Sequence, residues 1–110
     1  MALQVTIEIK GAIVVVGPVG DVDLNCSREF QGHLKKVLES RPARVIVDLA
    51  KVPYMDSSGV ATLVEAMQIA RRTSTKLVLC GMQDKVRSIF EIARLDRVFT
   101  IVPDMATAGA

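Results

Sequence analysis

Residues 44–64, RVIVDLAKVPYMDSSGVATLV, decide the fold of this chain. The run opens with residues 44–49, which are largely β-branched or aliphatic and predict a short buried strand. A loop around Pro53 follows, and residues 56–59 (DSSG) then begin a segment with the apolar spacing of an amphipathic helix: Val60, Leu63, Val64 and Met67. The stretch therefore predicts a strand, a loop and a helix, with small polar residues at the junction.

The segment at the start of the chain predicts a β-hairpin. Residues 3–10 alternate between apolar and polar side chains, which is typical of a strand with one covered face. Gly11 interrupts the alternation, and residues 12–16 (AIVVV) predict a second, more deeply buried strand. Residues 17–20 (GPVG) are expected to end that strand, because Pro18 lacks a backbone donor.

A helix is predicted between this hairpin and the strand at 44–49. Its apolar positions recur at i, i+4, i+7 and i+8, namely Phe30, Leu34, Val37 and Leu38. Three polar residues before it are candidate N-caps, namely Asp23, Asn25 and Ser27. Pro42 is expected to end the helix.

Downstream, residues 76–80 predict a further strand that Gly81 closes. Asp84 is a candidate N-cap for a helix whose apolar stripe is Val86, Ile89, Phe90 and Ala93. Residues 99–102 predict a last strand, and the tail at 106–110 carries no strong pattern and is expected to fray.

The order β-β-α-β-α-β-α-β predicts one α/β domain over residues 1–110. Strands separated by helices indicate parallel crossovers, whereas the opening hairpin adds an antiparallel pair. We expect a mixed, mostly parallel sheet of about five strands packed with three to four helices.

Composition excludes several classes of protein. Fourteen basic and twelve acidic residues leave a formal charge of +2. The basic residues appear scattered along the sequence, so no direct nucleic-acid binding is expected. The two cysteines, Cys26 and Cys80, are too far apart for a zinc or redox motif and predict buried apolar groups in a reducing compartment. No apolar leader or membrane span is evident, so we expect a cytoplasmic protein. We also expect the chain to be a monomer.

Known catalytic motifs do not fit the DSSG cluster at 56–59. A phosphate-binding loop needs a longer Gly-rich segment followed by Lys, and a nucleophile elbow needs Gly two residues before the serine. A small hydrolase would have to use the single histidine, His33, as its base. We expect no enzyme activity, no cofactor and no metal. The simplest interpretation of the cluster is an ordinary helix start, where Asp, Ser and Gly are common.

The chain resembles the STAS-domain anti-sigma factor antagonists. The resemblance is carried by residues 54–60 (YMDSSGV) after the strand at 45–49. It extends to residues 20–23 (GDVD) after the second strand and to residues 89–92 (IFEI) followed by Leu95-Asp96. It covers almost the whole chain, in the order of elements that the family has. Two departures are Arg94, where relatives often have a small residue, and a short Ala-rich tail in place of a longer final helix.

The resemblance implies a bacterial, phosphorylation-controlled switch in transcription regulation. In this family the unphosphorylated protein binds an anti-sigma factor that is also a serine kinase, and thereby releases the sigma factor (partner switching). Carried over, the phosphorylated residue is Ser57, and a serine phosphatase would reset it. Asp23 corresponds to a position implicated in kinase or nucleotide contacts. The surface implied to bind the partner comprises Asp23, Asp56, Ser57, Ser58, Gly59, Ala61 and Thr62.

Two further expectations complete the sequence-based account. Ala61, Thr62 and Ala66 are small residues that we expect to face outward, which suits close contact with a protein. The alternative to a switch is a STAS module that is never phosphorylated and acts as a ligand-binding or transporter-associated adaptor.

Overall fold

The computed structural model describes residues 3–109, which form an opening β-hairpin followed by helices and strands in alternation, five strands and four α-helices in all. In chain order they are β1 Gln4–Lys10, β2 Ile13–Val19, α1 Ser27–Glu39, β3 Arg44–Asp48, α2 Ser57–Arg72, β4 Lys76–Cys80, α3 Asp84–Ile92, a 3-10 turn Leu95–Arg97, β5 Thr100–Val102 and α4 Met105–Ala108. No helix within residues 3–109 has both the length and the apolar character needed to cross a bilayer.

The five strands form one sheet in the order β1-β2-β3-β4-β5. β1 and β2 are antiparallel, and each later neighbouring pair is parallel. A helix connects each pair of parallel strands, as crossover connections require. The α/β fold with an opening hairpin and a mostly parallel sheet is therefore confirmed.

The core lies mainly on one face of the sheet. Val16, Val47 and Leu79 from the central strands pack there against apolar residues of the first three helices, including Phe30, Leu63 and Phe90. A smaller cluster on the opposite face contains Val15, Ile46, Val78, Cys80 and Ala108, and α4 covers it. The buried central strands thus form the rigid support from which the loops at their ends project.

β2 runs three residues further than its sequence suggests. It continues through Gly17 and Pro18 to Val19, although Pro18 was expected to end it. Only Ile13–Val16 of this strand pair with β3, whereas the whole strand pairs with β1. Pro18 therefore sits where one side of β2 is unpaired, and its missing donor is tolerated there.

Two predicted helix caps are wrong. α1 begins after Cys26 without any side-chain cap, because Asp23 instead accepts from the backbone N–H of Asn25 at 3.0 Å in a local turn. α3 begins after Gln83, so Asp84 lies inside the first turn, where its charge favours the helix dipole without capping.

The tail is more ordered than its composition suggests. Asp104 caps the four-residue α4 by accepting from the backbone N–H of Thr107 at 2.8 Å. The guanidinium of Arg44 donates to the Ala108 carbonyl at 2.8 Å and ties the helix to β3. The expected fraying is therefore wrong through residue 109, and Ala110 lies outside the described residues.

Both cysteines are buried free thiols, as predicted. Burial raises the pKa of Cys80 to about 11, and burial also raises the pKa of Cys26. Neither side chain is a ready thiolate, so each acts as a small packing residue.

Candidate functional site

The DSSG cluster lies at the edge of the sheet where the parallel strands have their C-terminal ends. The loop after β2 and the loop after β3 meet there through a parallel bridge between Val22 and Met55, both fully buried. The N–H of Val22 donates to the Tyr54 carbonyl at 3.0 Å, and the N–H of Asp56 donates to the Val22 carbonyl at 3.2 Å. The two loops are thus held side by side at the start of α2.

Asp56 holds the site together by bonding to both loops. As the N-cap of α2, its Oδ1 accepts from the N–H of Ser58 at 2.9 Å and of Gly59 at 3.2 Å, and from the Ser58 hydroxyl at 2.5 Å. Its Oδ2 accepts from the N–H of Leu24 in the other loop at 3.0 Å. The Ser58 hydroxyl, together with these backbone donors, lowers the pKa of Asp56 below its ordinary value.

We expect Asp56→Ala to lower the free energy of unfolding at pH 7 by about 0.5–2 kcal/mol, the usual effect of losing a helix cap. Because the folded-state pKa is depressed, this contribution is present above the ordinary aspartate pKa, about 3.9, and is lost as pH falls through the folded value. Urea unfolding of both proteins between pH 7 and pH 3 measures the difference. If the difference in unfolding free energy between the two proteins does not shrink in acid, the ionised carboxylate of Asp56 is not what joins the two loops.

Gly59 lies where the first turn of α2 crosses the loop after β2. A Cβ atom at this position would lie 2.6 Å from Cγ of Met55, 2.9 Å from the carbonyl oxygen of Val22 and 3.0 Å from Cγ1 of Val22. Only glycine permits this approach. Gly59 is buried, so it shapes the site from inside and offers no side chain to a partner.

The two serines differ in what their hydroxyls contact. Ser58 is half-buried, and its hydroxyl is bonded to Asp56 and therefore to the cap. Ser57 is exposed as the first residue of α2, and within residues 3–109 its hydroxyl has no hydrogen-bond partner. The structure thus separates a structural serine from one that is open to solvent.

Two large apolar side chains are exposed on the loops beside Ser57. Leu24 is 77% exposed and Tyr54 is 48% exposed. Their backbones are fixed, since Leu24 donates to Asp56 and the Tyr54 carbonyl accepts from Val22. Neither residue belongs to a periodic apolar pattern, and Tyr54 enters the sequence only as the first residue of YMDSSGV, so no local signal marks either one as a contact residue.

Asp23 lies in the loop after β2, one residue before Leu24. Its Oδ1 accepts from the N–H of Asn25, so the carboxylate is engaged in the local turn. The loop borders an open depression of about 610 Å³ lined by Leu3, Val19, Gly20, Asp21, Asp23, Asn25 and Cys26. Asp23 therefore lies on the same edge as Ser57 and keeps a partly exposed side chain.

The expectation that three small residues of α2 face outward is wrong for two of them. Thr62 is buried, and its hydroxyl donates to the Ser58 carbonyl at 2.9 Å and approaches the Ser27 carbonyl of α1 at 3.5 Å. Ala66 is buried in the core, whereas Ala61 is exposed. Thr62 and Ala66 lie where α2 packs against α1, which small side chains permit.

Charge is sorted between the two ends of the sheet. Within residues 3–109, carboxylates predominate among the strand ends, the loops that follow them and the first three residues of each helix at the end that carries Ser57. The carboxylates there are Asp21, Asp23, Glu29, Asp48, Asp56, Asp84 and Asp104, and the cations are Arg28, Lys51 and Lys85. Basic residues gather at the opposite end, including Lys10, Arg41, Arg44, Arg71, Arg72 and Lys76. These cations are scattered along the sequence, and the fold brings them together.

His33 does not join the site. It is half-buried on α1, and within the described residues it makes no hydrogen bond. Residues 3–109 also contain no group of three or more His, Cys, Asp or Glu side chains that could hold a metal ion. The surface around Ser57 therefore combines two exposed large side chains, Leu24 and Tyr54, with the exposed hydroxyl of the serine.

Comparison with known proteins agrees with this architecture. The sequence model of the STAS domain matches residues 4–108. The anti-sigma-B factor antagonist of Listeria monocytogenes is 28% identical over 102 residues, which cover 90% of each chain. The crystal structure of an anti-sigma factor antagonist from Mycobacterium paratuberculosis has a TM-score of 0.89 at 18% identity, covering 96% of this chain and 90% of that one.

A second solved structure is the Bacillus cell fate determinant SpoIIAA in its phosphorylated form. It has a TM-score of 0.70 at 16% identity and covers 93% of this chain and 92% of that chain. Since the family model spans nearly the whole chain, the protein described here belongs to the STAS domain family, in which the relatives named above are anti-sigma factor antagonists.

Proposed function

We propose that this protein is an anti-sigma factor antagonist whose unphosphorylated form binds an anti-sigma factor that is also a serine kinase. Binding releases a sigma factor to RNA polymerase in the cytoplasm. Phosphorylation of Ser57 prevents binding to the anti-sigma factor until a serine phosphatase removes the phosphate. The observation that carries the proposal is the exposed hydroxyl of Ser57, which has no hydrogen-bond partner among residues 3–109 and lies at the start of a 16-residue helix. The proposal includes no catalytic activity of the chain itself.

The chemistry of a helix start suits a reversible phosphate. Phosphorylation adds about −1.5 to −2 charges at neutral pH. The free protein tolerates this charge, because the N-terminus of α2 carries a partial positive charge. A docked partner would strip water from the same phosphate next to the carboxylate of Asp56, which opposes binding. A switch of this kind needs no refolding.

The surface around Ser57 has the composition of a protein interface. Leu24 and Tyr54 offer exposed apolar area beside the serine. Tyrosine is among the residues that most often supply binding energy at interfaces, so Tyr54 is the proposed anchor and Leu24 adds contact area around it. Ala61 is the small exposed residue on the next part of α2. Asp23, Asp56 and Ser58 remain partly exposed and are proposed contacts, whereas Gly59 and Thr62 act by positioning the site from inside.

The acidic character of this end indicates the chemistry of the partner. The excess of carboxylates over cations would steer the approach of a partner with basic residues at its rim and raise the rate of association at low salt. The part of the partner that meets Ser57 itself is proposed to carry no cation, because a cation there would pair with the phosphate and favour binding. A free serine hydroxyl also favours a phosphorylated switch over a STAS adaptor that is never modified.

Incubation with the cognate kinase and ATP is expected to place one phosphate on Ser57. The Ser58 hydroxyl is bonded to Asp56, so its modification would disrupt the cap of α2. Fragment mass spectrometry identifies the residue, with Ser57→Ala and Ser58→Ala as matched variants. Only Ser57→Ala should abolish incorporation. Phosphate on Ser58 alone, or on neither serine, would refute the assignment.

A further inference from the structure

β1 forms an edge of the sheet and leaves two isoleucines in solvent. Ile7 is 45% exposed and Ile9 is 73% exposed, although both lie on an alternating face that begins with the partly buried Val5. The sequence pattern predicts a covered face along the whole strand. Within residues 3–109 the cover extends only to the Val5 end, so the other end of the apolar face has no partner in the chain.

Edge strands normally carry features that prevent pairing with other chains, such as proline, bulges, short length or charged side chains, especially lysine. The opposite edge follows this rule, because β5 has three residues and packs beside α4. β1 has seven residues, no proline and an unbroken register against β2 from Gln4↔Val19 to Lys10↔Ile13. Its two charged residues, Glu8 and Lys10, pair with one another at 3.3 Å.

We propose that β1 pairs antiparallel with β1 of a second copy of this chain, about a two-fold axis through Ile7. All seven residues of the strand are paired in this register. Ile7 faces the partner's Ile7, and Val5 faces the partner's Ile9. The apolar faces of the two strands join, and the two sheets become one continuous sheet across the axis.

The charges of β1 select this arrangement over its alternatives. In the proposed register Glu8 faces the partner's Thr6, and Lys10 faces the partner's Gln4, so no like charges are opposed. A parallel in-register pairing would place Glu8 against the partner's Glu8 and Lys10 against the partner's Lys10, which is destabilising. Moving the axis to Ile9 would leave only residues 8–10 of the strand paired.

The apolar face of β1 is covered at its Val5 end and exposed at its Ile9 end, and a second copy of the chain would cover the exposed end. The start of α1 covers the Val5 end, where the N–H of Leu3 donates to a Glu29 carboxylate oxygen at 2.6 Å and both Leu3 and Val5 pack against the core. The two-fold axis places each exposed Ile9 beside the partner's Val5, next to a face that α1 already covers. The two copies run antiparallel, so their Ser57 ends point in opposite directions and stay open. The inference is therefore independent of the proposed function, and it differs from the monomer expected from the sequence.

Light scattering of the purified protein over a range of concentrations tests the dimer. The wild type is expected to approach twice the chain mass, whereas Ile7→Lys, which opposes two like charges at the axis, should raise the dimer dissociation constant at least about tenfold. Ile92→Lys is the matched control, because Ile92 is 84% exposed on α3, away from β1. A wild type that stays at the single-chain mass, or an Ile7→Lys protein that dimerises as well, would overturn the proposal.

Cysteine crosslinking tests the register even if Ile7→Lys fails to fold. Ile7→Cys places two cysteines opposite one another at the axis, so oxidation should form a covalent dimer. Ile9→Cys faces the partner's Val5 and should crosslink far less. The wild type is the negative control and should form no covalent dimer, since Cys26 and Cys80 are buried. Equal crosslinking of the two variants, or none with Ile7→Cys, would reject the two-fold register.

Discussion

Ser57→Asp is expected to weaken binding to the anti-sigma factor by one to several orders of magnitude while leaving the fold intact. In the free protein the new carboxylate lies at the start of α2, where the helix dipole favours an anion by ~0.3–1 kcal/mol. In the complex the same charge loses water beside Asp56, and an unpaired buried charge costs roughly 2–5 kcal/mol. About 1.4 kcal/mol corresponds to a tenfold change in affinity.

Thermal melts and calorimetric titration of the same samples separate binding from stability. Ser57→Ala is the neutral control and should bind like the wild type while resisting phosphorylation. Ile92→Asp adds the same charge on α3 and should leave affinity unchanged. Wild-type affinity in Ser57→Asp would contradict the interface. A collapse of its melting temperature would show that Ser57 is structural.

Gly59→Ala is expected to lower the free energy of unfolding by about 1–3 kcal/mol, the usual effect of overpacking a buried position. The added methyl group meets the side chain of Met55, which is flexible, but also the backbone carbonyl of Val22, which the bridge to Met55 holds in place. This clash is relieved only if the loop after β2 and the loop after β3 move apart, and that movement displaces Leu24. Affinity for the partner should therefore fall together with stability.

Gly32→Ala is the matched control, because it makes the same chemical change with the opposite expected sign. Gly32 lies within α1, and no atom is found within 4 Å of its Cβ position. Alanine there should stabilise the protein by about 0.5–1 kcal/mol through its higher helix propensity. Chemical denaturation of both variants measures the difference. A Gly59→Ala protein as stable as Gly32→Ala would show that the loops do not pack as described.

The sequence pattern predicted the elements of this fold well, because each of the three longer helices buries one stripe and the central strands are continuous apolar runs buried on both faces. The stripes containing Phe30 and Phe90 lead directly to buried residues. Thr62 shows the limit of such reasoning. It was expected to face outward with two other small residues of α2, but α2 packs against α1 on that side, and a hydroxyl can be buried when it bonds a nearby carbonyl.

The site could be predicted only where it is local in sequence. Residues 56–59 mark the start of α2, and the resemblance to STAS proteins points to Ser57. The clamp between Asp56 and Leu24 spans 32 residues, so no local pattern reveals it. The sorting of charge between the two ends of the sheet likewise depends on which strand ends meet, as Arg44 and Lys76 do in neighbouring strands.

The most direct test of the proposed switch is one titration made in two states of the same protein. The anti-sigma factor is titrated into the unmodified chain and into the chain phosphorylated at Ser57, and the heat of binding is recorded at equal ionic strength. The account predicts a stable complex with the unmodified chain and an affinity lower by at least about tenfold after phosphorylation. Equal affinities in the two states would contradict it.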